Sequence, residues 1–467
     1  MHAGFQNDTI AAIATAEGPA GVAVVRISGD QAWQVAARVV RPAGAPLVSR
    51  APGSFFHTQF VDAETGSTLD DGLALLFRAP ASFTGEDVVE LQGHGGALAS
   101  RSVLRSVLRA GARLAEPGEF SRRAFLSGRI DLTQAEAMMD LVHARSERAA
   151  QAARAQLAGN LGLAITECYG RVTALCADVA SLLDFGEDEL PARVRGEAEA
   201  RLDQVRQQVA ALLTSRREGH LLRDGALAVI GGCPNAGKSS LLNALLGTDR
   251  AIVSSIAGTT RDTIEEGLVL DGIPLRLMDT AGLRDAPSAV EQEGVLRARQ
   301  AMAQADLVLY VIDASRPLAE QHLDFTGQTA QWLVLLNKCD LPAQTSKIDV
   351  LQVWSRQQGS RPPPPIVSLS ALTGAGMAEL KAVLTSQLRL DSQAPIHPIV
   401  AERHSTELIC AGQFLAKSRL LLAGDDTQLV LAAGELRQAA EALGRIIGRV
   451  YSTDLLDQIF ARFCVGK

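Results

Sequence analysis

Eight residues, Gly232-Cys233-Pro234-Asn235-Ala236-Gly237-Lys238-Ser239, fit the spacing G-x-x-x-x-G-K-[ST]. They follow an apolar run, Leu227–Ile230, and precede a run of helical character, Ser240–Leu246. The motif therefore marks a strand–turn–helix corner. Few folds build it, because a strand of a mainly parallel sheet must feed straight into a helix N-terminus. The glycines let backbone N–H groups turn inward around phosphate oxygens, and the helix dipole adds to the attraction. Lys238 is placed to reach β- and γ-phosphates and Ser239 to ligate Mg²⁺. The plain alternative is an ordinary Gly-rich turn, and composition makes a chance match uncommon.

The surroundings fit such a corner. Between residues 226 and 384, apolar strand-like runs (Leu227–Ile230, Leu275–Met278, Leu307–Ile312, Leu333–Leu336, Ile366–Leu369) alternate with helical segments. That alternation predicts an α/β domain on a mainly parallel sheet. On its N-terminal side, Leu132–Leu183 is Ala-rich and periodic at helical spacing. Leu202, Val205, Val209, Leu212 and Leu213 continue the pattern, and residues 402–463 return to it. Residues 1–120 carry short runs (Val22–Ile27, Leu73–Phe77, Asp87–Leu91) and a helical stretch, Ser102–Leu108, which reads as α+β. The expected fold is a multidomain α/β chain: an α+β domain at 1–122, a helical domain at 123–223 resumed at 385–467, and an inserted Ras-like P-loop domain at 224–384. Arg361–Pro365 is expected to be an extended loop.

Composition narrows the function classes. The chain has 467 residues, a formal charge of −7, and only 4% aromatic residues, so its cores must come from Ala, Leu, Val and Ile. Net acidity argues against a chain that grips nucleic acid alone. The six cysteines include no C-x-x-C pair and no zinc spacing with a histidine. No basic-then-apolar leader and no run of membrane-spanning length is evident. The expectation is a cytoplasmic protein with reduced thiols and no membrane span.

Further tetrapeptides select the nucleotide. Asp279-Thr280-Ala281-Gly282 follows one strand, with Asp279 suited to the Mg²⁺ shell and Gly282 N–H to the γ-phosphate. Asn337-Lys338-Cys339-Asp340 follows another. A carboxylate such as Asp340 can accept from guanine N1–H and its exocyclic amine, donors that adenine cannot both supply. Ser370-Ala371 closes the last strand, where a backbone N–H can donate to guanine O6. Thr260 supplies a Mg²⁺-ligating hydroxyl from a switch loop. The expected GTP site comprises Asn235, Ala236, Gly237, Lys238, Ser239, Ser240, Ser254, Ser255, Ile256, Ala257, Gly258, Thr259, Thr260, Asp279, Thr280, Ala281, Gly282, Asn337, Lys338, Asp340, Ser370 and Ala371. Five motifs in this order, each at a strand end, predict a GTP hydrolase. Leu283 stands where Ras-like proteins carry a water-orienting glutamine. Asn235 with the loop Ser254–Thr259 resembles the potassium-dependent GTPases. There Asn235 and the loop positions Ser254, Ile256 and Thr259 would hold K⁺ and stabilise charge in the transition state.

Segments outside this domain resemble the MnmE/TrmE family of tRNA-modification GTPases over essentially the whole chain. They include Asp8-Thr9-Ile10, Gly21 through Gly29, Ser82 through Gly96, Pro117 through Leu126, Asp131 through Ala137, and the terminal Phe463-Cys464-Val465-Gly466-Lys467. The resemblance implies an N-terminal domain that dimerises and binds 5-formyl- or 5,10-methylene-tetrahydrofolate. It implies a homodimer that forms a heterotetramer with a flavin-dependent MnmG-type partner and meets tRNA through that complex. Together they would install a (carboxymethyl)aminomethyl group at C5 of the wobble uridine. Arg26, Glu90, Arg129 and Lys467 fall on the family's folate-contacting positions. Their chemistry suits glutamyl carboxylates and a pterin donor edge. Glu291 matches the catalytic glutamate, with a helix-start carboxylate as its plainer reading; Arg284 is a candidate switch contact.

Other residues receive plainer expectations. Cys464 is read as a buried, unreactive thiol, and Arg101, Arg105, Arg109 and Arg113 as one solvated helix side. His94 is read as a loop residue, structural or near the folate. The competing functional reading is a K⁺-dependent regulatory switch in ribosome assembly, which should add an RNA-binding module absent from the motifs here. A degenerate folate scaffold is disfavoured by intact Lys238, Ser239, Thr260, Asp279 and Asp340.

Overall fold

The structure is a computed structural model and describes residues 8–16, 18–42, 45–184, 192–249, 265–279, 300–321, 323, 325, 331–388, 400–424 and 426–466. The chain divides into two compact units: residues 1–139, 157–205 and 413–467 in one, and 140–156 with 206–412 in the other.

The first unit holds a seven-stranded sheet: β1 (Ile10–Ile13), β2 (Val22–Ser28), β3 (Val40–Pro42), β4 (Phe55–Val61), β5 (Thr68–Phe77), β6 (Val88–His94) and β7 (Arg113–Leu114). Their spatial order is β3-β4-β5-β6-β2-β1-β7, antiparallel except for β1 with β7. Alternation along β2 sends Ala23, Val25 and Ile27 inward while Val22, Val24 and Arg26 face the other way. The inward face packs with helices Ala32–Val39 and Ala97–Arg109 around Trp33, Val39, Phe60, Leu76, Leu91, Val103 and Val107. Two long helices, Asn160–Asp184 and Asp426–Ile447, pack against each other although residues 185–425 lie between them in sequence. The chain end is seated by an apolar cluster of Phe125, Leu132, Met139, Leu456, Ile459, Phe460 and Phe463.

The second unit holds a six-stranded sheet: β8 (Ala226–Gly232), β9 (Glu265–Leu270), β10 (Ile273–Asp279), β11 (Leu307–Asp313), β12 (Gln331–Asn337) and β13 (Ile366–Ser368). Its order is β13-β12-β11-β8-β10-β9, parallel except for the β9–β10 hairpin. Two clusters cover its two faces, one around Leu241, Leu309 and Leu335, the other around Tyr310, Trp332 and Trp354. A strand buried on both faces reads as a continuous apolar run. All seven residues of β11 are buried.

Leu132–Leu183 is helical as expected, in three helices, Leu132–His143, Glu147–Leu157 and one from Asn160, with Gly159 at φ 94° between the last two. Three other expectations need correction. The arginine stripe ends at Arg109, the last residue of its helix. Arg113 lies on β7 and pairs with Glu119. His94 closes strand β6 rather than lying in a loop. Cys464 is exposed. Its carbonyl accepts from Gly118 N–H, and that backbone role, not burial of sulfur, places it. Arg361–Pro365 is a loop without regular secondary structure leading into β13. No helix among the described residues is long and apolar enough to cross a membrane.

Candidate active site

The phosphate loop leaves β8 at Gly232 and enters helix Lys238–Asp249. Two glycines are required by close approach. Gly232 has φ 130°, and a side chain there would meet the Val311 carbonyl. Gly237 has φ 95° and lies against the Asn337 amide. Asn235 takes the left-handed conformation (φ 60°), which asparagine tolerates better than most residues. It is exposed at the loop tip. Lys238 is buried, and its ammonium donates to the carbonyls of Gly232 (3.1 Å) and Cys233 (2.8 Å). The loop is thus curled around the lysine that the motif predicts as its phosphate contact.

Ser239 and Asp279 come together across the sheet. Asp279 is in register with Ile230 on β8, and Ser239 Oγ donates to Asp279 Oδ2 at 3.1 Å. A hydroxyl and a carboxylate at this separation form an all-oxygen pair suited to a hard cation such as Mg²⁺.

Asn337 joins this loop to the next. Its Nδ2 donates to the Ala236 carbonyl at 2.8 Å, and its Oδ1 accepts from Ala371 N–H at 3.0 Å. Cys339 N–H donates to the Leu369 carbonyl at 3.1 Å, tying the same turn to the end of β13. The turn itself needs Lys338 at φ 65°. Asp340 is exposed just beyond it. Asn235 through Ser240, Asp279, Asn337, Lys338, Asp340, Ser370 and Ala371 therefore all lie at the C-terminal ends of β8, β10, β12 and β13 or in the turns that follow. That is where ligands bind in open α/β sheets. Within the Ser370–Ala371 turn, the Ala371 N–H is engaged by Asn337. The expected residues Ser254, Ser255, Ile256, Ala257, Gly258, Thr259, Thr260, Thr280, Ala281, Gly282, Arg284 and Glu291 lie outside the described residues.

Asp313 was missed by sequence reasoning. It ends β11 in register with Asn337, and its carboxylate accepts from Lys338 Nζ at 2.6 Å and Ser315 Oγ at 2.6 Å. Burial pushes this carboxyl up, but the bonds from Lys338 and Ser315 outweigh it and hold it below the usual carboxylate range. A charged residue directly after a six-residue apolar run was the available signal.

A second polar group lies on the outward face of the antiparallel sheet. Arg26 and Glu90 are opposite each other in the β2–β6 register, with Nε 2.9 Å from Oε1 and side chains 20% and 18% exposed. The Arg26 guanidinium lies 5.3 Å from the Phe83 ring centroid and 5.6 Å from that of Phe120. The two rings flank a cation, a contact the sequence did not reveal. Gly85 (φ 80°) borders the side chains of Ser127 and Arg129, which brings Arg129 beside the Phe83 loop. Gly466 is packed on the backbone of Ile13 and Ala14, next to the Ala12–Arg26 pair of the sheet. The chain end thus reaches the Arg26 neighbourhood; Lys467 lies outside the described residues.

Comparison with known proteins agrees across the chain. Residues 9–129 match the family described as GTP-binding protein TrmE N-terminus, and residues 132–464 match the MnmE helical domain. The protein from Symbiobacterium thermophilum named tRNA modification GTPase MnmE is 44% identical over 99% of this chain and 100% of its own length. Proteins of the same name from Geobacter metallireducens (41% identical, 99% and 100% covered) and Bordetella petrii (42% identical, 98% of each covered) are similar throughout. With both domain matches and full-length likeness to these relatives, the chain belongs to the MnmE family of tRNA modification GTPases.

Proposed function

We propose that this GTP hydrolase of tRNA modification holds GTP at the strand ends of its parallel sheet and uses hydrolysis to rearrange a folate-dependent modification complex. The observation that carries the nucleotide site is Asn337, which links the phosphate loop to the Ser370–Ala371 turn through two hydrogen bonds. Phosphates and base bind opposite ends of a nucleotide, so a protein that takes both must hold these loops at a set spacing.

In this reading Asn235 through Ser240 wrap the phosphates and Lys238 turns from its own loop carbonyls to the β- and γ-phosphates. Asp340 accepts from the guanine edge. Ser239 and Thr260 supply oxygens to Mg²⁺, with Asp279 behind Ser239. Asn235, with Ser254, Ile256 and Thr259, holds K⁺; the ion would supply the positive charge that an arginine provides elsewhere. Glu291 orients the attacking water, the task left open by Leu283.

The face around Arg26 takes the folate. Arg26, Arg129 and Lys467 pair with its carboxylates, Glu90 accepts from the pterin, and Phe83 and Phe120 offer apolar walls beside the cation. The one-carbon unit is delivered to C5 of the wobble uridine in a cytoplasmic complex of this chain's homodimer with a flavin-dependent MnmG-type partner. The net charge of −7 suits that arrangement, because the partner can carry most of the tRNA contact.

GTP turnover in KCl against NaCl tests the nucleotide half. Turnover should be faster in KCl, and Asn235→Ala should abolish the difference; equal rates in both salts for the unaltered protein refute the K⁺ site. An unchanged rate in Glu291→Ala would return that residue to a helix-start role. Titration with 5-formyl-tetrahydrofolate should weaken in Arg26→Ala, and mass spectrometry of wobble uridines from a deletion strain tests the pathway.

A further inference from the structure

At the end of β6 beyond the Arg26–Glu90 pair, two carboxylates meet the imidazole of His94, and a second imidazole, His57, bonds to one of them. Asp70 Oδ2 accepts from the main-chain N–H of His94 at 2.8 Å, and Asp70 Oδ1 lies 2.7 Å from His94 Nδ1. Asp71 follows Asp70 on β5, and its carboxylate comes within 4.8 Å of the His94 ring. His57 on β4 reaches Asp71 from the other side, Nε2 to Oδ2 at 3.0 Å. One ligand atom from each of Asp70, Asp71 and His94 lies within 4.8 Å of the others, the one such grouping of three or more metal-type side chains among the described residues. Gly93 contributes by what it lacks. A Cβ there would lie against the Asp70 carboxylate and force it from the cluster.

We propose that Asp70, Asp71, His94 and His57 form a site for a divalent transition-metal ion of the Zn²⁺ class. Two imidazoles and two carboxylates make a donor set that favours zinc-like ions over Mg²⁺ or Ca²⁺, which prefer oxygen alone. Metal–ligand bonds of about 2.0–2.2 Å in a tetrahedron put ligand atoms roughly 3.4 Å apart. Ligand atoms of Asp70, Asp71 and His94 already lie within 4.8 Å of one another, so small shifts bring these three to that spacing, and His57, outside that group but bonded to Asp71, turns its exposed imidazole inward to complete the set. His57 and His94 are 68% and 69% exposed and free to make such shifts, whereas Asp70 is 9% exposed and held by its main-chain bond. The site therefore has one fixed anchor and mobile imidazoles. The ion replaces the contacts of His94 with Asp70 and of His57 with Asp71, and it clamps β4, β5 and β6 together. His94 stands four residues from Glu90 on the same strand, roughly 13 Å away, so the clamp acts on the sheet that carries Arg26 without touching the Arg26 pair.

The test is a Zn²⁺ titration by calorimetry on untagged full-length protein, stripped with chelator and saturated with Mg²⁺ and GDP. Co²⁺ serves as the spectroscopic probe. About one ion per chain should bind, with affinity reduced roughly ten- to hundredfold in both His94→Gln and Asp71→Asn. Both altered side chains are exposed, so metal-free melting and metal-free GTP turnover should stay at the unaltered level. Co²⁺ should show visible bands without the near-ultraviolet band of a thiolate ligand. Binding that survives both variants, a thiolate band, or no binding at micromolar metal overturns the proposal.

Discussion

Replacing Asn337 with Ala removes two hydrogen bonds and leaves both partners behind. The residue is 2% exposed, donates to Ala236 at 2.8 Å and accepts from Ala371 at 3.0 Å. An orphaned buried polar group costs roughly 1–3 kcal/mol. Ala236 is fully buried and belongs at the upper part of that range, whereas the half-buried Ala371 N–H can recruit water and belongs at the lower. Together they come to about 2–4 kcal/mol. This cost divides between folding of the parallel-sheet unit and nucleotide affinity, in proportion to how far the loops relax when nucleotide does not hold them. Since about 1.4 kcal/mol is tenfold in affinity, GDP affinity should fall at least several-fold even if most of the cost goes to folding. Fluorescent-GDP dissociation gives one part, and urea unfolding followed at Trp332 and Trp354, both in the same unit, gives the other. Asn337→Asp keeps an acceptor for Ala371 but sets a second oxygen against the Ala236 carbonyl, so it should recover nothing. A combined loss below about 0.5 kcal/mol in Asn337→Ala would refute the assignment of Asn337 as the link between the loops.

Three other perturbations have signs set by the structure. Asp313→Asn leaves Lys338 without its carboxylate, so GDP release should quicken by about tenfold with kcat little changed; an altered kcat at unchanged affinity contradicts the role given to Asp313. Arg123 is 2% exposed and binds Asp8, Glu86 and Glu119, so Arg123→Met should cost about 3 kcal/mol at neutral pH, Arg113 still serving two of the three. Burial pushes Asp8 and Glu119 up, but Arg113 and Arg123 outweigh it and hold both below their usual range; their stabilisation is present above about pH 4 and lost as pH falls through the folded values, so the deficit should shrink in acid unfolding curves. The bond to Asp224, with Asp306 3.8 Å away, raises His220 to about 10, so its contribution is complete below about pH 6.5 and lost on rising through 10. Because the imidazole is half exposed, His220→Gln should cost no more than about 1 kcal/mol at pH 6, and a cost that persists above pH 10 would show that packing rather than charge is responsible.

The parallel sheet was legible because its strands are buried on both faces. Leu307–Ile312 and Leu333–Leu336 could be read from sequence as continuous apolar runs ending at polar residues, and those ends are where the nucleotide motifs sit. The antiparallel sheet was harder. β4, Phe55–Val61, alternates exposed and buried residues and escaped notice because His57 and Gln59 break its apolar character, and β7 has only two residues. The Arg26–Glu90 pair depends on a register between residues 64 apart, and the Phe83 and Phe120 rings arrive from two further segments. Local patterns carry no such information. Arg113 shows the opposite failure: four-residue spacing continued past the helix end, but Ala110, Gly111 and Ala112 turn the chain into β7.

The turns proposed to hold the base spring from strand ends fixed by register. Asp313 and Asn337 are opposite each other at the ends of two strands paired along their full seven-residue length. One fixes Lys338 and the other fixes the phosphate loop, so a slip of one position would misplace both contacts together. Groups mounted on strand ends are held more closely than groups carried on loops. The groups proposed for hydrolysis, Glu291 and Ser254–Thr259, lie outside the described residues. On the proposed nucleotide site, the register of these strands sets how tightly guanine nucleotide is held.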